Sequence, residues 1–166
     1  MLLIASACTA SATPTPAPTR SATVSGFASE EEAFQAAEDT YRAYIDALNR
    51  VDLADPATFE PVYALTTGDA SAAVHQDFAQ MHADGWVVKG TSVLQSIDVD
   101  ERSSTDRVYL LVCTDVRRVT LVDGSGDSQV SSDRADVHSL TIEMISNDER
   151  WSVDRIRSRA GDDSCV

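Results

Sequence analysis

Ala83-Asp84-Gly85-Trp86-Val87-Val88-Lys89 is the stretch where this chain changes its period. Before it, apolar residues return every three or four positions, as one face of a helix requires. After it they alternate, and the composition moves toward Val, Ile, Thr and Leu, as half-buried strands require. Helices first and strands afterwards, joined by short turns, predict an α+β domain: N-terminal helices packed on one face of a curved four-stranded antiparallel sheet.

Toward the N-terminus, Ser29-Glu30-Glu31-Glu32 is a capping box, with three acids at the positive end of the helix that follows. Phe34, Ala37, Tyr41, Tyr44 or Ile45, and Leu48 make its apolar stripe, and the helix is expected to end near Val51. Residues 56–65 predict a short second helix with Phe59, Val62 and Tyr63 inward. Asp69 is expected to cap a third, in which Ala73, Val74, Phe78, Met81 and His82 share a face as far as Gly85.

Toward the C-terminus four strands are predicted, over residues 86–99, 107–122, 134–145 and 151–157. The middle of the second, Val108-Tyr109-Leu110-Leu111-Val112-Cys113, is apolar on both faces, as a central strand covered on both sides would be. Asp123-Gly124-Ser125-Gly126-Asp127 reads as a hairpin turn. It lacks the alternating acids and closing Glu of an EF-hand. Ser146-Asn147-Asp148-Glu149 turns the chain into the last strand.

The first 28 residues read differently. Met1-Leu2-Leu3-Ile4-Ala5 is a short apolar run before Ser6-Ala7-Cys8, and a complete export signal would need more residues upstream. Small residues before Cys8 resemble the lipobox of bacterial lipoproteins, although Ala5 stands where that pattern prefers Leu or Val. The resemblance implies a diacylglycerol on the Cys8 sulfur; the alternative is a leader with an incidental cysteine. Residues 9–28 hold three spaced prolines among Ser, Thr and Ala, a composition expected to stay extended and solvated as a tether. The expected organisation is thus residues 1–8 as partial signal and lipobox, 9–28 as disordered tether, and 29–166 as one domain on the outer face of the cell membrane, held by lipid alone.

Charge narrows the partners. The chain carries 27 acids against 13 Lys and Arg, a formal net charge of −14, and residues 29–85 hold 12 of those acids against Arg42 and Arg50 alone. Such a field repels phosphate backbones and anionic lipid surfaces, so no nucleic-acid role is expected. With Cys8 acylated, Cys113 and Cys165 remain as an even pair in an oxidising compartment and are expected to be bonded; the alternative is two separate thiols. In the chain-entropy model a closed loop of roughly 50 residues contributes about 4 kcal/mol.

The order of elements, with a turn leading into Trp151-Ser152-Val153-Asp154 and a short last strand, resembles the cone-shaped nuclear-transport-factor-like superfamily that includes ketosteroid isomerases. A cystatin-like helix-on-sheet fold would give a similar string. The high Ala content, one Lys against twelve Arg and the tether resemble secreted lipoproteins of high-GC Gram-positive bacteria. Chemistry of the isomerase type needs a carboxylate in an apolar cone with Tyr donors opposite. Asp115 is the candidate base, His138 a second, and Tyr41, Tyr44, Tyr63 and Trp86 are candidates to line a pocket. The competing reading pairs Asp115 with Arg117, Arg134 or Arg155 in a structural ion pair and places the tyrosines in the core.

His75 and His82 stand seven apart, too far along a helix to share a metal, and no metal or cofactor is expected. Three roles fit these residues: a domain binding a small apolar ligand or an envelope protein, an isomerase- or dehydratase-type enzyme, and a structural envelope component.

Overall fold

The computed structural model describes residues 26–147, 150–159 and Cys165. Cys8, nearly all of the tether, the tip of the last turn at 148–149 and the tail at 160–164 lie outside the described residues.

The capping box forms. Ser29 Oγ accepts from the Glu32 amide at 3.1 Å, and the Glu32 carboxylate accepts from the Ala28 amide at 2.9 Å. Helix α1, Glu30–Leu48, buries Ala33, Ala37, Tyr41, Tyr44, Ile45 and Ala47 along the expected stripe and stops three residues before Val51. The expected second helix is a 3-10 turn, Pro56–Phe59, running into one helical turn, α2, Glu60–Tyr63. Pro56 and Pro61 supply no amide, so an unbroken hydrogen-bond ladder cannot form there.

Helix α3, Gly68–Ala83, is not capped by Asp69. Thr67 holds the cap position, its amide donating to Val153 O at 2.8 Å, while Asp69 pairs with Arg155 at 2.6 Å. Gly68 has φ +51°, in the left-handed region that favours glycine, and an added Cβ would press on the Asp154 carboxylate, so glycine suits this helix start against the sheet. Phe78 and Ala70 face inward; Val74 and Met81 are half-buried, and Ala73 is exposed.

Two of the four expected strands are each divided in two. Residues 86–99 form β1, Val87–Lys89, and β2, Val93–Val99; residues 107–122 form β3, Arg107–Asp115, and β4, Thr120–Val122. The divisions coincide: β1 pairs with β4 as a separate two-stranded antiparallel ribbon. The remaining strands are β5, Val137–Asn147, starting three residues later than expected, and β6, Arg150–Ser158. The main sheet has the order β2-β3-β5-β6, antiparallel throughout, which is the expected meander. Bulges between Leu94 and Ser96 and between Glu143 and Met144 break the register; bulges bend the strands that carry them.

The helices cover one face of this curled sheet. Val108, Leu110 and Val112 of β3, Ile142 and Met144 of β5, and Val153 of β6 are completely buried with Val62 and Tyr41. Burying each such side chain contributes roughly 1.5–3 kcal/mol. Phe27, within the stretch read as tether, stacks on Trp151 with ring centroids 5.6 Å apart, closing one end of the core.

On the opposite face of the sheet Glu143 is buried between the guanidinium groups of Arg107 and Arg155. Cys113 is bonded to Cys165 there, with Cα atoms 5.5 Å apart, while Tyr109 and Leu111 on the same face are only half-buried, so β3 is not fully covered on both sides as expected.

Candidate functional site

The β1–β4 ribbon makes a wall that the main sheet alone would lack. Val88 and Leu121 are partners across it and point the same way, toward the end of the helical layer. Between them and the helices lies an open apolar cavity of about 270 Å³. Leu48 at the end of α1 contributes to it, with Val51 and Leu53 just beyond; α3 contributes Phe78 and Met81. Val119 and Val130 complete the apolar wall, and Asn49, Gly90, Ser92 and Arg134 are its other members.

Three devices hold the wall in place. Asn49 Nδ2 donates to Ser92 O at 2.9 Å and Asn49 Oδ1 accepts from the Ser92 amide at 2.8 Å, so the end of α1 is tied to the approach to β2. Gly90, at φ +86°, lets the turn between β1 and β2 pass against the Arg118 carbonyl, where any Cβ would collide. One guanidinium nitrogen of Arg134, Nη2, donates to Val116 O and Val119 O at 2.9 and 3.0 Å, bracing the bend between β3 and β4. Below the cavity, His82 Nδ1 lies 2.7 Å from Leu53 O and fixes the loop after α1 to α3.

None of the six residues expected to line a pocket is in this wall. Tyr41 and Tyr44 lie in the core, 5.9 Å apart between ring centroids. Burial pushes the Tyr44 phenol up to about 12 and raises Tyr41 as well, with Tyr44 adding to the latter shift and the Thr114 hydroxyl opposing it. Tyr63 stacks on His75 at 3.6 Å and packs against Phe59. Trp86 is half-buried on the core, its amide donating to Met81 O at 3.0 Å.

Asp115 sits at the end of β3, held by Arg117 through its guanidinium and backbone amide, and these hydrogen bonds lower its pKa to about 2. A general base serves best with a pKa near the working pH, and a carboxylate so strongly held is a poor proton acceptor. The ion-pair reading of Asp115 is the one its contacts match. His138, opposite Thr114 on β5, is half-buried; burial first and the Arg134 charge second lower its pKa, which keeps it neutral near pH 7.

Sequence reasoning missed Asn49 and Gly90, and met Arg134 only as a possible partner of Asp115, which it is not. The only local signal was at Gly90, an isolated glycine inside an apparent strand, which marks a bend or a close backbone approach.

The wall contains nine apolar side chains and one cation, with no carboxylate and no histidine. Such a surface can hold an apolar body against water. A helical layer on a curled antiparallel sheet, with a cavity at its open end, is the class of protein that fold and site define.

No protein-family model matches the chain, and no curated protein matches it in sequence. Its fold is similar to that of the intermembrane space region of the chloroplast protein ARC6, with a TM-score of 0.51 and 15% identity over 75% of this chain and 94% of that one. At that identity the likeness is one of fold alone. A putative polyketide cyclase of Xanthomonas campestris pv. campestris aligns with a TM-score of 0.40 and 18% identity, over 75% of this chain and 89% of that one. A de novo β-sheet design solved by NMR aligns with a TM-score of 0.38 and 11% identity, over 79% and 92% respectively.

Proposed function

We propose that this chain is a binding domain that takes up a small apolar ligand in the cavity between the β1–β4 ribbon and the helices, displayed on the outer face of the cell membrane by a lipid on Cys8. The observation that carries the binding role is the wall itself: nine apolar side chains around about 270 Å³ with no proton-transfer group among them. The two bases considered for an isomerase-type reaction, Asp115 and His138, lie outside that wall. Among the described residues, the large apolar side chains exposed at the surface are Val87, Val93 and Ile156, on three different strands, which favours a pocket over a broad apolar assembly face.

The test of binding uses 1-octanol as a neutral apolar probe and methyl NMR of the folded, disulfide-bonded protein. Saturable shifts confined to Val88, Leu121, Met81 and their neighbours are expected. Shifts that fail to saturate, or that scatter over the surface, overturn the reading.

The membrane address is supported by the small residues before Cys8 and the Ser, Thr, Pro and Ala composition after it. Intact-mass measurement of the full-length protein from its native envelope is expected to show a diacylglyceryl adduct at Cys8. An unmodified Cys8 in protein released to the medium refutes the anchor without touching the binding role.

A further inference from the structure

We propose that the ligand of this cavity is an amphipathic monocarboxylic acid, its aliphatic body against the apolar wall and its carboxylate on Arg134. The proposal rests on the cavity being a ligand site, and adds the ligand's chemical class. Arg134 is half-buried in a wall otherwise made of Val, Leu, Met and Phe with two small polar groups. Its Nη2 is occupied by the carbonyls of Val116 and Val119, which pin the side chain. Among the described residues, Nε and Nη1 have no hydrogen-bond partner and no carboxylate pairs with the group.

Arg42, Arg102, Arg107, Arg117 and Arg155 each have a carboxylate within ion-pair distance, on α1, β3 or β5, in the turn after β2 or at the start of α3 rather than at the cavity; among the described residues Arg50, Arg118, Arg150 and Arg157 share with Arg134 the lack of one, and of these only Arg134 stands in the cavity wall.

A cation partly withdrawn from water without a counter-ion is costly, and an arriving anion relieves that cost. The guanidinium is planar with donors in a fixed fork, so a pinned Arg134 offers its remaining N–H groups in a geometry suited to a carboxylate. His138 beside it has its pKa lowered by burial and by Arg134 itself, and so adds no competing positive charge near pH 7, while the flanking Asp133 and Asp136 are exposed. The rest of the wall holds no second charged group, so a charge at the ligand's other end would be stranded.

The experiment compares octanoate, 1-octanol and octylammonium on the intact protein at neutral pH, reading affinity from the same methyl shifts. Octanoate is expected to bind about tenfold or more tighter than octanol, as a charge-assisted hydrogen bond warrants, with octylammonium the weakest. Arg134→Met is expected to bring the octanoate-to-octanol affinity ratio to about one. Reading the ratio keeps the test valid even where losing the brace on Val116 and Val119 weakens both ligands together.

Octanol binding as tightly as octanoate in the wild type, or a ratio unchanged in Arg134→Met, overturns the carboxylate assignment while the cavity reading stands. Failure of all three probes to bind overturns the cavity reading itself.

Discussion

Asn49 and Ser92 are joined by two hydrogen bonds in which one side-chain amide plays the part of a neighbouring strand, donating to the Ser92 carbonyl at 2.9 Å and accepting from its amide at 2.8 Å. The residue that follows the last turn of α1 thereby sets where the chain enters β2, and both partners stand in the cavity wall. Asn49→Ala leaves two backbone groups without their partner. The expected loss is about 1–3 kcal/mol of unfolding free energy. Urea denaturation checks it: the midpoint falls with the slope unchanged, and octanol binding weakens because the two walls are no longer tied.

Gly90 is the second point at which the cavity depends on one residue. Its φ of +86° and the closeness of the Arg118 carbonyl leave no space for a methyl group. Gly90→Ala is expected to cost more than the roughly 1 kcal/mol of a left-handed alanine, because the β1–β4 ribbon must also shift. Amide NMR is the measurement: changes centred on Val88, Val119 and Leu121 are expected, with β5 and β6 undisturbed. A spectrum unchanged around the ribbon contradicts this account.

The disulfide joins residues 52 apart and ties Cys165 to the central strand. Replacing both cysteines by serine, Cys113→Ser with Cys165→Ser, is expected to lower stability by about 4 kcal/mol in the chain-entropy model. Thermal unfolding of the double variant beside wild type, with and without reductant, checks it. Only the wild type should respond to reductant.

Alkaline pH should weaken the fold through the buried phenols. In the unfolded chain a tyrosine ionises near its ordinary value of about 10, whereas burial holds Tyr44 near 12 and raises Tyr41. A raised folded-state pKa means stability fully present below pH 10 and lost as pH climbs from there toward 12. Each phenol contributes a slope of up to about 1.4 kcal/mol per pH unit in that window. Unfolding free energies measured between pH 9 and 12 should be flat at first and then fall, and Tyr44→Phe should reduce the fall. An unchanged slope in that variant would count against ionisation of Tyr44 as the cause.

Much of this architecture was legible locally. The Ser29 capping box and the stripe through Ala37, Tyr41 and Ile45 depend on neighbours within one or two turns, and the place of β3 in the middle of the sheet was legible from its continuous apolar run. The pairing of Cys113 with Cys165 was expected on the reading that Cys8 is acylated and leaves an even pair. Gly90 alone hinted at the first break, and the break after Asp115 was not legible at all, because each half keeps a strand-like composition. What parts them is that β1 finds β4, about 30 residues away, while β2 stays on β3. Asp69 looked like a cap for the same reason: its competing partner, Arg155, is remote in sequence.

The sequence by itself determined that helices precede strands, that the strands form a meander, and which side chains are apolar enough to be buried, because those properties come from short-range periodicity and from transfer of side chains out of water. Only the tertiary structure decided that Tyr41 and Tyr44 fill the core, that Asp115 belongs to Arg117, and that Leu48, Val88, Leu121 and Arg134 meet around one cavity. A cavity is a surface shared by segments distant in the chain, and its chemistry exists only once a ribbon, two helix ends and a loop have been brought together.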